Sequence, residues 1–322
     1  MLQTSYKAPF LLRNGHLNTL YAYWRCKVPM PPFVREEVET RDGDFFSVDW
    51  WRGGYQKVIL LLHGLEGSSS STYIRRVATL AHAQGYDVCA INHRSCGGKL
   101  NRKPVLYHSG FTQDLHQMVQ QLDRDYESIF AVGYSLGGNI LLKYLGDGVF
   151  EVPGHLKQAV AVSTPVHLHS CAKAISQPSN FLYEMGFLRG LKQKMEEKAV
   201  EYPELIDLEQ VKSIRRLVQF DDMMTAPIHG FANAVDYYTQ CSSLPFLDKI
   251  TIPTLLVNAQ DDPMLRAPSF PYEMAESNPF FHFLAPKYGG HVGFADFKTR
   301  YYWIDRLILS FFDRGIPGDK SY

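Results

Sequence analysis

Short runs of apolar residues alternate along the chain with segments in which apolar residues recur every three or four positions. The first pattern is typical of buried β-strands and the second of amphipathic helices. Strands are predicted at residues 58–62, 88–92, 129–132, 158–163, 254–259 and 281–285. Helices are predicted at residues 72–84, 111–126, 139–144 and 301–312. This alternation predicts an α/β fold, with a mostly parallel central sheet and helices on both of its faces.

Two regions before the first of these strands follow a different pattern. β-type runs at residues 34–40 and 45–51 flank an Asp42-Gly43 turn, which predicts a hairpin. Residues 1–33 contain four prolines and scattered aromatic residues. We expect them to form an irregular arm that packs on the body of the protein.

Residues 165–243 interrupt the series of strands. They are charge-rich, have a helical pattern and lie between two predicted strands, which indicates an inserted cap or lid. The expected organisation is therefore an α/β core of residues 1–164 and 244–322, including the arm, with a helical cap of residues 165–243.

The sequence Gly133-Tyr134-Ser135-Leu136-Gly137 joins a predicted strand to a predicted helix. Glycines on both sides of a serine in this setting form a nucleophile elbow, in which a strained turn exposes the serine hydroxyl at a helix N-terminus. Ser135 is therefore the candidate nucleophile.

A serine nucleophile needs a base and a group that orients the base. In this type of fold these residues follow the last strands, in the chain order serine, acid, histidine. His291, in a glycine-rich loop, is the candidate base. Asp262 is the preferred acid because it follows Ala259, the small residue that closes its strand, by three positions. Asp261 is the alternative, and we expect the other aspartate to cap the turn or the following helix.

A tetrahedral intermediate also needs two donors for its negatively charged oxygen. The backbone N–H of Leu136, directly after the candidate nucleophile, is one candidate. The backbone N–H of Leu65 is the other, because it lies in a His-Gly loop after an early strand.

Composition excludes several classes of protein. The 33 basic and 33 acidic residues give no net charge, which argues against nucleic acid or an anionic membrane as a partner. The five cysteines form no Cys-x-x-Cys pair, so we expect reduced thiols and no metal site. We see no signal peptide, and no apolar run reaches the roughly 18 residues of a membrane span. A cytoplasmic protein without an integral membrane segment is expected.

Eight short motifs occur in order along the chain: NGHLNT from Asn14, HGLEGSS from His63, NHRSCGG from Asn92, YHSG from Tyr107 with Asp114 after it, GYSLGGN from Gly133, FDDMMTAPIHGF from Phe220 with DYY from Asp236, NAQDDP from Asn258 and GGHVGF from Gly289. With these motifs the chain resembles the α/β-hydrolase superfamily, and more specifically its YheT-like branch, also called AB hydrolase family 4. The resemblance covers nearly the whole chain. Two residues depart from the branch pattern, Ser95 in place of a usual glycine and Asn18 in place of a usual glutamine.

The resemblance implies a serine carboxylesterase that cleaves small-molecule esters, with acylglycerols and medium-chain acyl esters among the candidates, without metal or organic cofactor. The cap would supply a pocket for an apolar acyl chain. Two alternatives stay open. The same triad could transfer an acyl group to an alcohol, as in an ester synthase, or the chain could be a ligand-binding member of the fold that lost its chemistry.

Overall fold

The computed structural model describes residues 6–25, 28–29 and 32–315. Within these residues eight strands form one sheet: β1 Val34–Glu39, β2 Phe45–Trp51, β3 Lys57–Leu62, β4 Asp87–Asn92, β5 Ser128–Tyr134, β6 Leu156–Val162, β7 Thr254–Val257 and β8 Phe281–Leu284. Their order across the sheet is β1-β2-β4-β3-β5-β6-β7-β8. The first hairpin is antiparallel, β2 pairs antiparallel with β4, and the remaining pairs are parallel. The predicted hairpin and the mostly parallel sheet are thus confirmed.

The α-helices of the described residues are α1 Gly15–Trp24, α2 Thr72–Ala83, α3 Thr112–Asp125, α4 Leu136–Gly146, α5 Leu168–Ile175, α6 Phe181–Glu201, α7 Leu208–Ser213, α8 Leu217–Phe220, α9 Ala226–Ile228, α10 Ala234–Cys241, α11 Tyr272–Ser277 and α12 Trp303–Arg314. A π-helical turn, Asp221–Thr225, lies between α8 and α9. Among the described residues, no helix is both long enough and apolar enough to cross a bilayer.

The sheet separates two hydrophobic cores. Val58, Leu60 and Leu62 of β3 belong to the core that also contains residues of α3 and α4. Ile59 and Leu61, which point to the opposite face of the strand, belong to the core that contains residues of α2 and α12. All five side chains are fully buried. The near-continuous apolar sequence of β3 is therefore explained by burial on both faces, as expected for an inner parallel strand.

The parallel strands end at one edge of the sheet. In the register of neighbouring strands, Leu62 lies opposite Gly133, Tyr134 opposite Val162, and Val257 opposite Leu284. The loops that follow β3, β5, β6, β7 and β8 consequently meet at this carboxyl edge, where α/β proteins place their sites.

The prediction of an irregular N-terminal arm is wrong for Gly15–Trp24, which form helix α1. The side chain of Asn14 caps this helix by accepting the N–H of Leu17 at 3.1 Å. The buried residues of α1 are Gly15, Asn18 and Ala22, which are small or polar, so an apolar stripe is missing from the sequence. Residues 1–5, 26–27 and 30–31 of the arm lie outside the described residues.

The segment between β6 and β7 contains helices α5 to α10 and the π-helical turn. The 21-residue α6 is its main element, and it carries Leu188, Leu191 and Met195 into the same core that α3 and α4 share. This segment therefore packs on the body of the protein through apolar side chains.

The turn between β5 and α4 has unusual backbone geometry. Ser135 has φ 51° and ψ −120°, a region that residues with a Cβ rarely adopt. Gly137 allows this turn because a Cβ there would lie 2.5 Å from the carbonyl oxygen of His63. A Cβ on Gly133 would lie 2.5 Å from the carbonyl oxygen of Gly137. The predicted strand, sharp turn and helix are confirmed, with the serine at the strained position.

We expect Ser135→Gly to be more stable to unfolding than Ser135→Ala by about 1 kcal/mol, because glycine relieves the strained dihedral angles while both variants lack the hydroxyl. Urea unfolding of the two variants measures this difference. Equal unfolding free energies would show that the turn is not strained.

Candidate active site

The loops after β5, β7 and β8 bring Ser135, Asp262 and His291 together. Nε2 of His291 lies 2.9 Å from Oγ of Ser135, and Nδ1 of the same ring lies 2.8 Å from Oδ2 of Asp262. With the Nδ1 proton donated to the carboxylate, Nε2 is free to accept the proton of the serine hydroxyl. The three groups form a hydrogen-bonded chain that can activate a serine for nucleophilic attack.

The orienting carboxylate is more deeply buried than the imidazole. The side chain of Asp262 is fully buried, whereas that of His291 is 10% exposed. Oδ1 of Asp262 accepts the N–H of Met264 at 2.8 Å, which fixes the carboxylate plane. The Asp262 carboxylate thus holds Nδ1 of His291, while Nε2 faces the serine hydroxyl.

Asp261 has a different environment from its neighbour. Instead of capping its own turn, it accepts the N–H of Gly290 through Oδ1 at 2.9 Å. Its other oxygen, Oδ2, is buried and has no hydrogen-bond partner within residues 6–25, 28–29 and 32–315. Burial raises the pKa of this carboxyl group. Of the two acids considered from the sequence, the structure brings Asp262 to the imidazole and places Asp261 against the backbone of the histidine loop.

Helix α1 supports the loop that carries His291, a role that the sequence pattern did not predict. Oγ1 of Thr19 accepts the N–H of His291 at 2.8 Å. Oδ1 of Asn18 accepts the N–H of Ala295 at 3.1 Å. Gly15 packs so closely against the Asp261 carbonyl that a Cβ would overlap it. The signal was present in the NGHLNT motif, but only the fold shows what these polar residues contact.

The two candidate oxyanion donors lie beside the serine. Leu65 and Leu136 both line the pocket that contains Ser135 and His291. The neighbouring N–H groups on the Leu65 loop are engaged, because Gly64 donates to Tyr73 Oη at 3.0 Å and Glu66 donates to Tyr107 Oη at 2.8 Å. By contrast, the N–H groups of Leu65 and Leu136 have no protein acceptor in the described part of the chain. Both are therefore available to a ligand oxygen.

A buried histidine organises the start of the Leu65 loop. Burial lowers the pKa of His63 well below its usual range, so the ring is neutral. Its Nδ1 lies 2.7 Å from the carbonyl oxygen of Gly64, and its Nε2 accepts the N–H of His93 at 3.1 Å. A neutral imidazole with Nδ1 protonated satisfies both contacts. His63 is thus a link between the loops after β3 and β4 rather than a base.

The two residues that depart from the branch pattern both make local hydrogen bonds. Ser95 adopts φ 62°, a left-handed conformation that favours the usual glycine, and its Oγ accepts the N–H of Asn101 at 3.1 Å. Asn18, in place of glutamine, donates through Nδ2 to the carbonyl oxygen of Leu12 at 3.0 Å and also accepts from the histidine loop.

A pocket that opens to solvent has Ser135 and His291 in its lining. Its apolar lining comes largely from the segment between β6 and β7: Leu168, Cys171, Ala172, Ile175, Phe187, Leu191, Met195, Leu217, Phe220, Met224 and Ile228. Polar groups occupy part of the wall, among them Asp221, whose pKa burial raises to about 6. The carboxylate of Asp221 accepts hydrogen bonds from the hydroxyl groups of Tyr238 and Thr225, with oxygen–oxygen distances of 2.6 Å and 2.9 Å. The space suits a mainly apolar ligand with a polar portion.

The four cysteines in the described part of the chain, Cys89, Cys96, Cys171 and Cys241, are free, and Cys26 lies outside it. Burial raises the pKa of Cys96 to about 11, so this cysteine is a thiol at neutral pH. Across the same described residues, no three His, Cys, Asp or Glu side chains are grouped to hold a metal ion.

Comparison with known proteins agrees with this geometry. The model of the alpha/beta hydrolase fold family matches residues 57–296. The Escherichia coli (strain K12) protein named "Putative esterase YheT" is 36% identical over 290 residues, which cover 87% of this chain and 84% of that protein. The "Medium-chain fatty acid ethyl ester synthase/esterase 2" of Saccharomyces cerevisiae (strain ATCC 204508 / S288c) is 30% identical over 283 residues, covering 80% of this chain and 62% of that protein.

Among solved structures, the Pyrococcus furiosus esterase Pf2001 superposes with a TM-score of 0.59 at 18% identity. The match covers 89% of this chain and 91% of the esterase. At that identity the likeness supports the fold alone. The family match and the bacterial relative go further, and this chain belongs to the α/β-hydrolase family, in which it is YheT-like.

Proposed function

We propose that the protein is a serine hydrolase of carboxylic esters. The observation that carries this proposal is the hydrogen-bonded chain from Ser135 through His291 to Asp262, which opens on a largely apolar pocket. The esterase names of relatives support the same reaction class.

In the proposed mechanism, Oγ of Ser135 attacks the ester carbonyl carbon while Nε2 of His291 takes the hydroxyl proton. The N–H groups of Leu65 and Leu136 donate to the oxygen that becomes negatively charged. His291 then returns the proton to the departing alcohol, which leaves an acyl group on Ser135. Water, deprotonated by the same imidazole, attacks this acyl group, the bond from the acyl carbon to Oγ breaks, and His291 returns the proton to Oγ as the acid is released. Asp262 keeps the imidazole in the required tautomer and stabilises its charged form.

We propose further that residues 165–243 form a cap on a core of residues 1–164 and 244–322. The cap would receive the acyl chain, because helices α5 to α10 and the π-helical turn together supply most of the apolar pocket wall. Burial of each methylene group contributes about 0.8 kcal/mol, so a chain of several carbons would be bound well.

The variants Asp262→Asn and Asp261→Asn test the triad as a matched pair. We expect Asp262→Asn to lower kcat on p-nitrophenyl esters by about 10⁴, because asparagine cannot hold the imidazole in the required tautomer. Asp261→Asn should change kcat little, since its side-chain oxygen can still accept the Gly290 N–H. Ser135→Ala sets the background and should abolish both turnover and labelling by a fluorophosphonate probe. Full turnover by a folded Ser135→Ala would refute the proposal.

Initial rates on p-nitrophenyl esters from acetate to palmitate test the acyl pocket. We expect kcat/KM to rise with chain length by up to about fourfold per methylene until the pocket is filled, because each methylene adds buried apolar area. The rate of Ser135→Ala is subtracted at each length. A Ser135-dependent rate that is highest for acetate would show that the pocket does not receive the acyl chain.

Acyl transfer to an alcohol is a second candidate, favoured by the synthase/esterase name of the yeast relative. The acyl group on Ser135 would then be attacked by an alcohol in place of water. With added ethanol or glycerol, a transferase should form the corresponding ester at the expense of free acid, as measured by chromatography of the products. Release of free acid alone over the whole alcohol range would leave hydrolysis as the activity.

A further inference from the structure

Glu66 ties the Leu65 loop to the body of the protein through one tyrosine. Its backbone N–H donates to Tyr107 Oη at 2.8 Å, and the same hydroxyl donates to Oε1 of the Glu66 carboxylate at 2.9 Å. Glu66 adopts φ 55°, a left-handed conformation that is uncommon for residues with a Cβ. This backbone conformation therefore depends on contacts that the side chain and the N–H make together.

Lys194 of helix α6 contacts the same carboxylate. Its Nζ lies 2.7 Å from Oε1 of Glu66 and 3.2 Å from Sγ of Cys96. The two charged side chains are largely buried, with 16% of Lys194 and 11% of Glu66 exposed. One helical turn earlier, Gly190 leaves room for Oε2 of Glu66, because a Cβ there would overlap this oxygen. Helix α6 thus packs directly on the loop.

The side chain of Lys194 is charged at neutral pH. Burial lowers its pKa, but its contacts with Cys96 and Glu66 raise the pKa more, so that the ammonium group keeps its proton. Cys96 is a thiol at this pH, since burial raises its pKa to about 11. Glu66 is the acidic partner of Lys194, in surroundings that screen the pair weakly.

The peptide that carries the Leu65 N–H lies between two anchored groups. On one side, the backbone N–H of Gly64 donates to the hydroxyl of Tyr73. On the other side, the backbone N–H of Glu66 donates to Tyr107 and its carboxylate contacts Lys194. An oxyanion donor must point at the developing charge before the reaction starts, and a displacement of about 1 Å costs about 10² in rate.

We propose that Glu66 and Lys194 are positioning residues, through which helix α6 holds the Leu65 N–H in place for the oxyanion. This inference rests on the proposed function, because it assumes that Leu65 is an oxyanion donor. It assigns a second role to the segment between β6 and β7, which would organise the reaction centre as well as line the pocket. Loss of the ion pair should weaken transition-state binding and leave ground-state binding of the ester largely unchanged.

The test uses Lys194→Met and Glu66→Gln, with Lys192→Met as the matched control. Lys192 lies on the same helix, but its Nζ donates to the carbonyl oxygens of Lys212 and Ile214, away from the loop. We expect Lys194→Met and Glu66→Gln each to lower kcat on p-nitrophenyl esters by about 10- to 100-fold, with KM changed less than kcat. The double variant should lose little more than either single variant, because the two residues act as one unit. Lys192→Met should retain the wild-type kcat.

Hydrogen–deuterium exchange at the amides of Glu66 and Gly67 provides a readout that does not depend on turnover. Exchange at these amides should accelerate in Lys194→Met and not in Lys192→Met. Unchanged exchange and kcat in Lys194→Met would overturn the inference, as would equal effects of Lys194→Met and Lys192→Met. Absence of Ser135-dependent turnover in the wild type would refute the proposed function, and the exchange data would then decide alone whether helix α6 holds the loop.

Discussion

The site depends on the strained turn at Ser135. Because Ser135 has φ 51°, its side chain leaves the sheet at the start of α4, where the imidazole of His291 meets it at 2.9 Å. The turn is possible only because Gly133 and Gly137 allow β5, α4 and the loop after β3 to approach one another closely. The same close approach brings the Leu65 loop beside the serine, so the candidate nucleophile and a candidate oxyanion donor are positioned by one packing arrangement.

Several separate parts of the chain hold this arrangement from outside. Helix α1 accepts the backbone N–H of His291, the buried neutral His63 links the loops after β3 and β4, and helix α6 contacts the loop that contains Leu65. Each support is a hydrogen bond or ion pair in largely buried surroundings, where a polar group without a partner is costly. The protein thus provides partners for these supporting groups, while the N–H groups of Leu65 and Leu136 have no acceptor among the described residues.

Helix α6 connects the pocket to the reaction centre. Its apolar residues Leu191 and Met195 line the space above Ser135, and Lys194 between them reaches Glu66. Neighbouring helix positions point in different directions, so one helix can present an apolar wall to a ligand and a charge to a loop. The pocket wall and the position of the loop depend on the same helix, and changes in this helix would affect both.

The sequence by itself determined the strands, the hairpin, the elbow at Ser135 and the residue types at the candidate site. These features have local signals, such as apolar runs and glycines that flank a serine or a histidine. The sequence favoured Asp262 over Asp261 by its position after the strand, and the tertiary structure decided between them, because the folded loop directs Asp262 to His291 and Asp261 to the N–H of Gly290. It also decided that Gly15–Trp24 form a helix and that Lys194 meets Glu66. The buried face of α1 is small and polar, and the ion pair joins residues 128 positions apart, so neither leaves a pattern in the neighbouring sequence.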